Sequence, residues 1–181
     1  VVNYPGDRVL QTMQRRWLNH VKGVFYLGDN HILSAGIEHQ HDYLKSPYRL
    51  KQGKASVYTL ASYAQDEWSI TNRLNLTLGY RFVHHKEFGQ KFTPKISAKY
   101  SLGDFNLRAT YSYGFKAPTL KELYQNYITV IMGPLKAYYG NENLKPQSSN
   151  YGSASVEYSN GKFQATVTGY YNRIHNMIAL T

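Results

Sequence analysis

The chain has 181 residues, with 21 Lys and Arg against 11 Asp and Glu, a net charge of +10, a mean hydropathy of −0.53, 18 Tyr, 7 Phe and no Cys. No uninterrupted apolar run reaches the ~18 residues a transmembrane helix needs, which excludes a helical membrane protein. A transmembrane β-barrel stays open, because polar residues dilute its apolar ones at every second position. The basic residues are spread singly along alternating segments and form no stripe, so they read as solvated or lumenal strand faces, or as attraction to anionic ligands or lipid phosphates, and not as a nucleic-acid footprint.

Period-two alternation is the main signal along the chain. It predicts strands at 12–27, 31–43, 55–69, 74–87, 92–102, 105–115, 150–159 and 162–178. The first two flank the tight turn Gly28-Asp29-Asn30. A longer connection, 44–54, leads into the third, whose two faces are mixed and give no orientation. After Ile70–Arg73, residues Leu74, Leu76, Leu78, Tyr80 and Phe82 alternate with Asn75, Thr77, Gly79 and Arg81. The pattern recurs with Phe92, Pro94, Ile96, Ala98, Tyr100 and Leu102, then, across Gly103-Asp104, with Phe105, Leu107, Ala109, Tyr111, Tyr113 and Phe115. The last two strands flank Asn160-Gly161. Gly-Asp and Asn-Gly are favoured two-residue hairpin turns.

Among the connections that are not short turns, 44–54 is long, 88–91 is intermediate, and 116–149 is the longest. It opens on Phe115-Lys116-Ala117-Pro118 and closes on Asn141-Glu142-Asn143-Leu144-Lys145-Pro146, with 22 residues (119 to 140) between the boxes. Loops longer than about 12–15 residues are usually functional or disordered. Within it Thr119 is placed to cap a single helical turn, with Glu122 three residues on.

Strands of 10–16 residues are long for a soluble sandwich, whose strands usually run about 5–6. They suit tilted membrane crossings of ~9–11 residues with extensions. Short turns on one rim and longer loops on the other match outer-membrane barrels, whose long loops face outside. The fold expected is therefore all-β, an antiparallel transmembrane barrel segment, with 1–181 part of one barrel domain and 116–149 its long extracellular loop. The sequence has no initiator Met, no signal peptide and no aromatic last residue, so it is expected to be part of something larger.

Several motifs carry a family resemblance. Tyr63-Ala64-Gln65-Asp66-Glu67-Trp68 followed by Leu74 through Arg81, then Phe92-Thr93-Pro94-Lys95, then the two boxes, resemble in order the barrel of TonB-dependent outer-membrane receptors. The resemblance covers roughly residues 55–175 and implies about eight strands of a 22-strand type barrel. In that family an N-terminal plug fills the barrel and a short N-terminal box couples it to an inner-membrane TonB energy-coupling complex; neither is found in this sequence. The partners implied are that complex, outer-membrane lipids and an iron-containing small molecule, with no nucleic acid.

Haem is slightly favoured as cargo, ahead of ferric siderophores and then cobalamin; no intrinsic cofactor is expected. Lys116 and Glu142 stand where haem receptors resemble one another in Arg and Pro, and the loop has no His. Candidate ligand-binding residues are Tyr124, Tyr127, Met132, Tyr138 and Tyr139, since Tyr and Met can ligate haem iron and Tyr rings can stack on a porphyrin or a catecholate. Parity with Asn75 through Arg81 adds a lumen-facing His85 and sets His84 on the outward register. Lumenal Arg81, Lys95, Lys99 and Arg108 would attract an anionic cargo or contact plug or water. No phosphate loop, His-Glu-x-x-His or nucleophile elbow suggests an enzyme. The competing readings are a complete small eight-strand barrel with a structural or adhesive role and a soluble basic β-domain that binds polyanions.

Overall fold

The computed structural model describes residues 12–130 and 135–179. The chain forms β1 (Met13–Leu27), β2 (His31–Lys45), β3 (Lys54–Ser69), β4 (Leu74–His85), β5 (Gly89–Leu102), β6 (Phe105–Lys116), α1 (Leu120–Tyr124), β7 (Asn126–Val130), β8 (Leu135–Tyr139), β9 (Gln147–Ser159) and β10 (Gln164–His175). Eight strands make one antiparallel sheet in the order β1-β2-β3-β4-β5-β6-β9-β10, and β7 and β8 form a separate hairpin. The eight expected strands are all present, with shifted ends. β5 starts at Gly89 because its pairing with β4 continues through Phe82↔Phe92 to His85↔Gly89. β9 starts at Gln147 because it stays paired to β6 as far as Lys116. The connection expected over 116–149 is thereby shortened to 117–146, and it carries α1, β7 and β8.

Cross-strand partners share a face, so the register separates two surfaces. One is apolar: Leu78↔Ile96↔Tyr111, Ala98↔Ala109↔Ala154 and Leu107↔Val156↔Val167 run across it. The other is polar. It holds Arg81–Glu38 at 2.6 Å, Arg16–Asp42 at 2.7 Å, Ser97–Thr110 at 2.8 Å and the chain Ser101–Asn106–Glu157 at 2.7 and 3.3 Å. Lys95, Lys99 and Arg108 lie on this polar face with Arg81, as the alternation predicts, and Lys99 stands directly opposite Arg108.

The mixed strand β3 is resolved by its partners. Tyr63, Gln65 and Glu67 join the polar face and Ala64, Asp66 and Trp68 the apolar one. Asp66 is tolerated there because His31 Nδ1 lies 2.8 Å from its carboxylate while the imidazole stacks on Trp68 at 5.3 Å. On the short-turn rim Gly103 has φ +57°, the left-handed conformation that a two-residue hairpin turn demands. Aromatics mark that rim (Phe105, Tyr158 and Phe163 in a cluster) and the opposite one (Tyr80 stacked on Phe92 at 5.7 Å).

The buried apolar residues sit at the long-loop end. Leu44, Val57, Ala61 and Val83 lie on the polar face of β2 to β4, with Leu50 and Leu123 from the two long connections also buried. The connection after β6 thus folds inward over the mouth of the sheet.

Candidate functional site

Two connections build one unit on the long-loop rim. Pro118, which cannot continue a strand ladder, ends β6 and is buried. Thr119 then caps α1 in a reciprocal box: its hydroxyl accepts from the Glu122 N–H at 3.3 Å, and the Glu122 carboxylate accepts from the Thr119 N–H at 2.6 Å. Such a cap stabilises a helix by about 1 kcal/mol, which matters for a helix of five residues. Lys116, from the first box, lies 3.8 Å from the same Glu122 carboxylate. The helix packs on β3 and buries Leu123.

The other connection, 46–53, is joined to this one through main chain. The Lys51 N–H donates to the Tyr124 carbonyl at 3.4 Å, the Asn126 N–H donates to the Arg49 carbonyl at 2.7 Å, and Leu50 pairs with Gln125 in a bridge. The second box closes the unit. The Gly140 N–H donates to the Gln125 carbonyl at 2.6 Å and the Asn141 N–H to the Glu122 carbonyl at 2.9 Å. The Asn141 side chain accepts from the Asn143 N–H at 2.9 Å, an Asx turn that sets the direction of the chain into Leu144 and β9. Glu142 reaches Lys51 at 3.4 Å.

The predicted site residues divide. Tyr127 and Tyr138 oppose one another in the β7–β8 hairpin with rings stacked at 5.1 Å and 13°, and the Arg49 guanidinium lies 5.0 Å from the Tyr127 centroid. Arg49 Nε is buried with no acceptor among the described residues. Tyr139 is 70% exposed on the same hairpin. Tyr124 sits at the end of α1, where burial, then the Glu87 and Glu142 carboxylates, push its phenol up, so it remains a neutral hydroxyl near pH 7. Met132 lies outside the described residues.

His85 falls on the polar face as parity predicts, but it is buried. Phe88 packs on its ring at 5.0 Å and Nδ1 accepts from the Glu87 N–H at 3.1 Å. It lines a recess of about 390 Å³ with Arg16, Asp42, Thr119 and Lys121 beneath the start of α1. His84 is on the apolar face, tilted against Tyr58 at 6.3 Å. Residue patterns alone did not single out Arg49 or Lys51. The available signal was that 44–54 is the other long connection on the same rim.

The family model described as TonB dependent receptor-like, beta-barrel matches residues 3–181. The chain belongs to the TonB-dependent receptors. It is a segment of an outer-membrane β-barrel, and the apolar face of its sheet is the lipid-facing one. Among relatives, the iron-regulated outer membrane virulence protein of Vibrio cholerae serotype O1 is 31% identical over 153 residues, covering 82% of this chain and 23% of that protein. The ferric enterobactin receptor PirA of Pseudomonas aeruginosa is 27% identical over 175 residues, 81% of this chain and 24% of that one. The crystal structure of PirA superposes with a TM-score of 0.81 at 24% identity, covering 89% of this chain and 32% of that chain. The vitamin B12 transporter BtuB of Vibrio cholerae is 31% identical over 104 residues, 57% of this chain and 15% of that protein. The chain thus spans about a quarter of the length of the first two relatives.

Proposed function

We propose that this chain is the wall and part of the extracellular binding surface of a receptor for a ferric siderophore, with the long-loop rim facing outside. The observation that carries this reading is the Arg49–Tyr127–Tyr138 stack on a rim where two connections are locked together. Flat aromatic rings backed by a guanidinium suit an anionic catecholate complex, which needs both stacking and positive charge. The names of the iron-regulated and ferric enterobactin relatives point the same way. Uptake would draw on an inner-membrane TonB complex acting through a plug supplied by the rest of the receptor.

Haem, slightly favoured by sequence, drops behind. The relatives are named for iron regulation, ferric enterobactin and vitamin B12, and these names support a siderophore ahead of haem. The BtuB relative supports cobalamin as the second reading.

The test is ligand binding by the full-length receptor in detergent, followed by intrinsic fluorescence quenching with ferric enterobactin, hemin and cyanocobalamin in parallel. Saturable quenching by the siderophore, weakened at least tenfold (about 1.4 kcal/mol) in Arg49→Ala and Tyr127→Ala, is expected. Saturable binding of hemin or cyanocobalamin alone would overturn the siderophore assignment. Labelling of Tyr139→Cys on whole cells by a membrane-impermeant maleimide checks the orientation separately.

A further inference from the structure

Strand β5 carries a lysine at every fourth residue of its lumenal face, Lys91, Lys95 and Lys99, in line because residues two apart in a strand share a face. Lys91 joins this row because pairing with β4 extends back to Gly89. The row ends on Lys99, which stands directly opposite Arg108 of β6. Like charges so placed destabilise a strand pair, and their neighbours do not relieve them. Lys91 lies opposite Val83, Lys95 between Gly79 and Ser112, and the Lys99–Arg108 pair between Asn75 and Ser155. None of the four cations has a carboxylate within ion-pair distance among the described residues. Acids of this face are engaged elsewhere: Asp42 with Arg16, Glu38 with Arg81, Glu67 with Gln65 at 3.1 Å and Glu157 with Asn106 at 3.3 Å.

The wall around this row differs from the rest of the lumenal surface. β2 to β4 bury Leu44, Val57, Ala61 and Val83 on that side. β6 and β9 present the short polar Thr110, Ser112, Ser153 and Ser155, beside which Lys95 and Arg108 stand exposed. A lasting protein interface is built on an apolar centre depleted of charged residues. This wall has the opposite make-up, which argues against its being the main seat of the plug. Passage of an ion needs stations in series that attract it and still release it. Four residues of strand span about 13 Å, more than the Debye length of about 8 Å in physiological salt, so each lysine acts as a separate station. We propose that Lys91, Lys95, Lys99 and Arg108 are transit residues. They lead the anionic ferric complex down the β5–β6 wall from the long-loop rim to the short-turn rim once the plug has moved. The proposal rests on the siderophore reading above and separates capture, at Arg49 and Tyr127, from passage.

The experiment measures adsorption and uptake separately, with radio-iron ferric enterobactin on cells that make the full-length receptor. Adsorption is read on de-energised cells and uptake on energised ones. Lys95→Gln/Lys99→Gln/Arg108→Gln is expected to keep the adsorption Kd within about twofold and to lower the maximal uptake rate at least about tenfold. Lys95→Arg/Lys99→Arg/Arg108→Lys keeps the charge and the rate, which separates charge loss from misassembly. Lys22→Gln removes a lumenal cation of β1, off this wall, and leaves the rate unchanged. Unchanged uptake in the triple-Gln variant, or a comparable loss in Lys22→Gln, would overturn the transit row. Weakened adsorption in the triple-Gln variant would overturn it too, by assigning these cations to capture, as would new sensitivity to vancomycin, by showing that they hold the plug in place. Absence of saturable adsorption by the wild type would sink the siderophore reading and the row with it, whereas normal adsorption with normal triple-Gln uptake counts against the row alone.

Discussion

A missing side chain at residue 140 holds the loop unit together. A Cβ there would lie 2.5 Å from the Leu123 carbonyl oxygen and 2.7 Å from the Gln125 nitrogen, main-chain atoms that cannot swing aside. Gly140→Ala therefore separates the second box from α1 and breaks the 2.6 Å bond to Gln125. We expect siderophore binding to fall at least tenfold with barrel assembly unchanged, read by fluorescence quenching beside heat-modifiable gel mobility; normal affinity would show that the close approach is dispensable. Tyr124 makes a second prediction at this scale. Its raised phenol should ionise only above the ordinary value of 10.0, and the difference in 295 nm absorbance between wild type and Tyr124→Phe reports it. An ionisation step at or below 10.0 would show that burial and the Glu87 and Glu142 carboxylates do not act on this phenol. The capping Thr119 and Glu122 were legible in the sequence because a capping box is local. The approach of Gly140 was not, since nothing in the surrounding residues announces which carbonyl lies across from it.

At the scale of elements, alternation exposed every long strand because lipid and lumen impose opposite chemistry on neighbouring residues. It failed to orient β3 because Asp66 occupies the lipid-facing register, and only pairing with β2 supplies the His31 that makes this tolerable. Union of the two long connections was hidden for another reason: it runs mainly through backbone N–H and carbonyl groups, which carry no side-chain signature. The same union dictates what can be removed. The β7–β8 hairpin pairs with itself and, among the described residues, is tied to the 46–53 connection through Arg49, so excising 126–139 should abolish growth on the siderophore while the barrel still inserts. Leu123→Ala acts differently. It hollows the small core over β2 to β4, at a local cost of about 2–5 kcal/mol, and should raise protease cleavage in both connections together. Cleavage confined to 117–146 would mean the two do not behave as one unit.

On the scale of the whole molecule, the sheet is an arc whose outermost strands each pair on one side only. β10 is exposed along its whole length and β1 along nearly all of it, with Val21, Tyr26, Val167 and Tyr170 each about three-quarters accessible. Unpaired N–H and carbonyl groups in hydrocarbon cost several kcal/mol each, so an arc is viable only when other strands close it. The 181-residue chain expressed alone and refolded into detergent should therefore pair edge to edge into dimers or larger species, visible by light scattering after size exclusion. Addition of the remaining strands of the receptor as a second polypeptide should suppress that self-pairing. A monodisperse monomer without its complement would mean that β1 and β10 satisfy one another in a closed eight-strand barrel, the competing reading of the sequence.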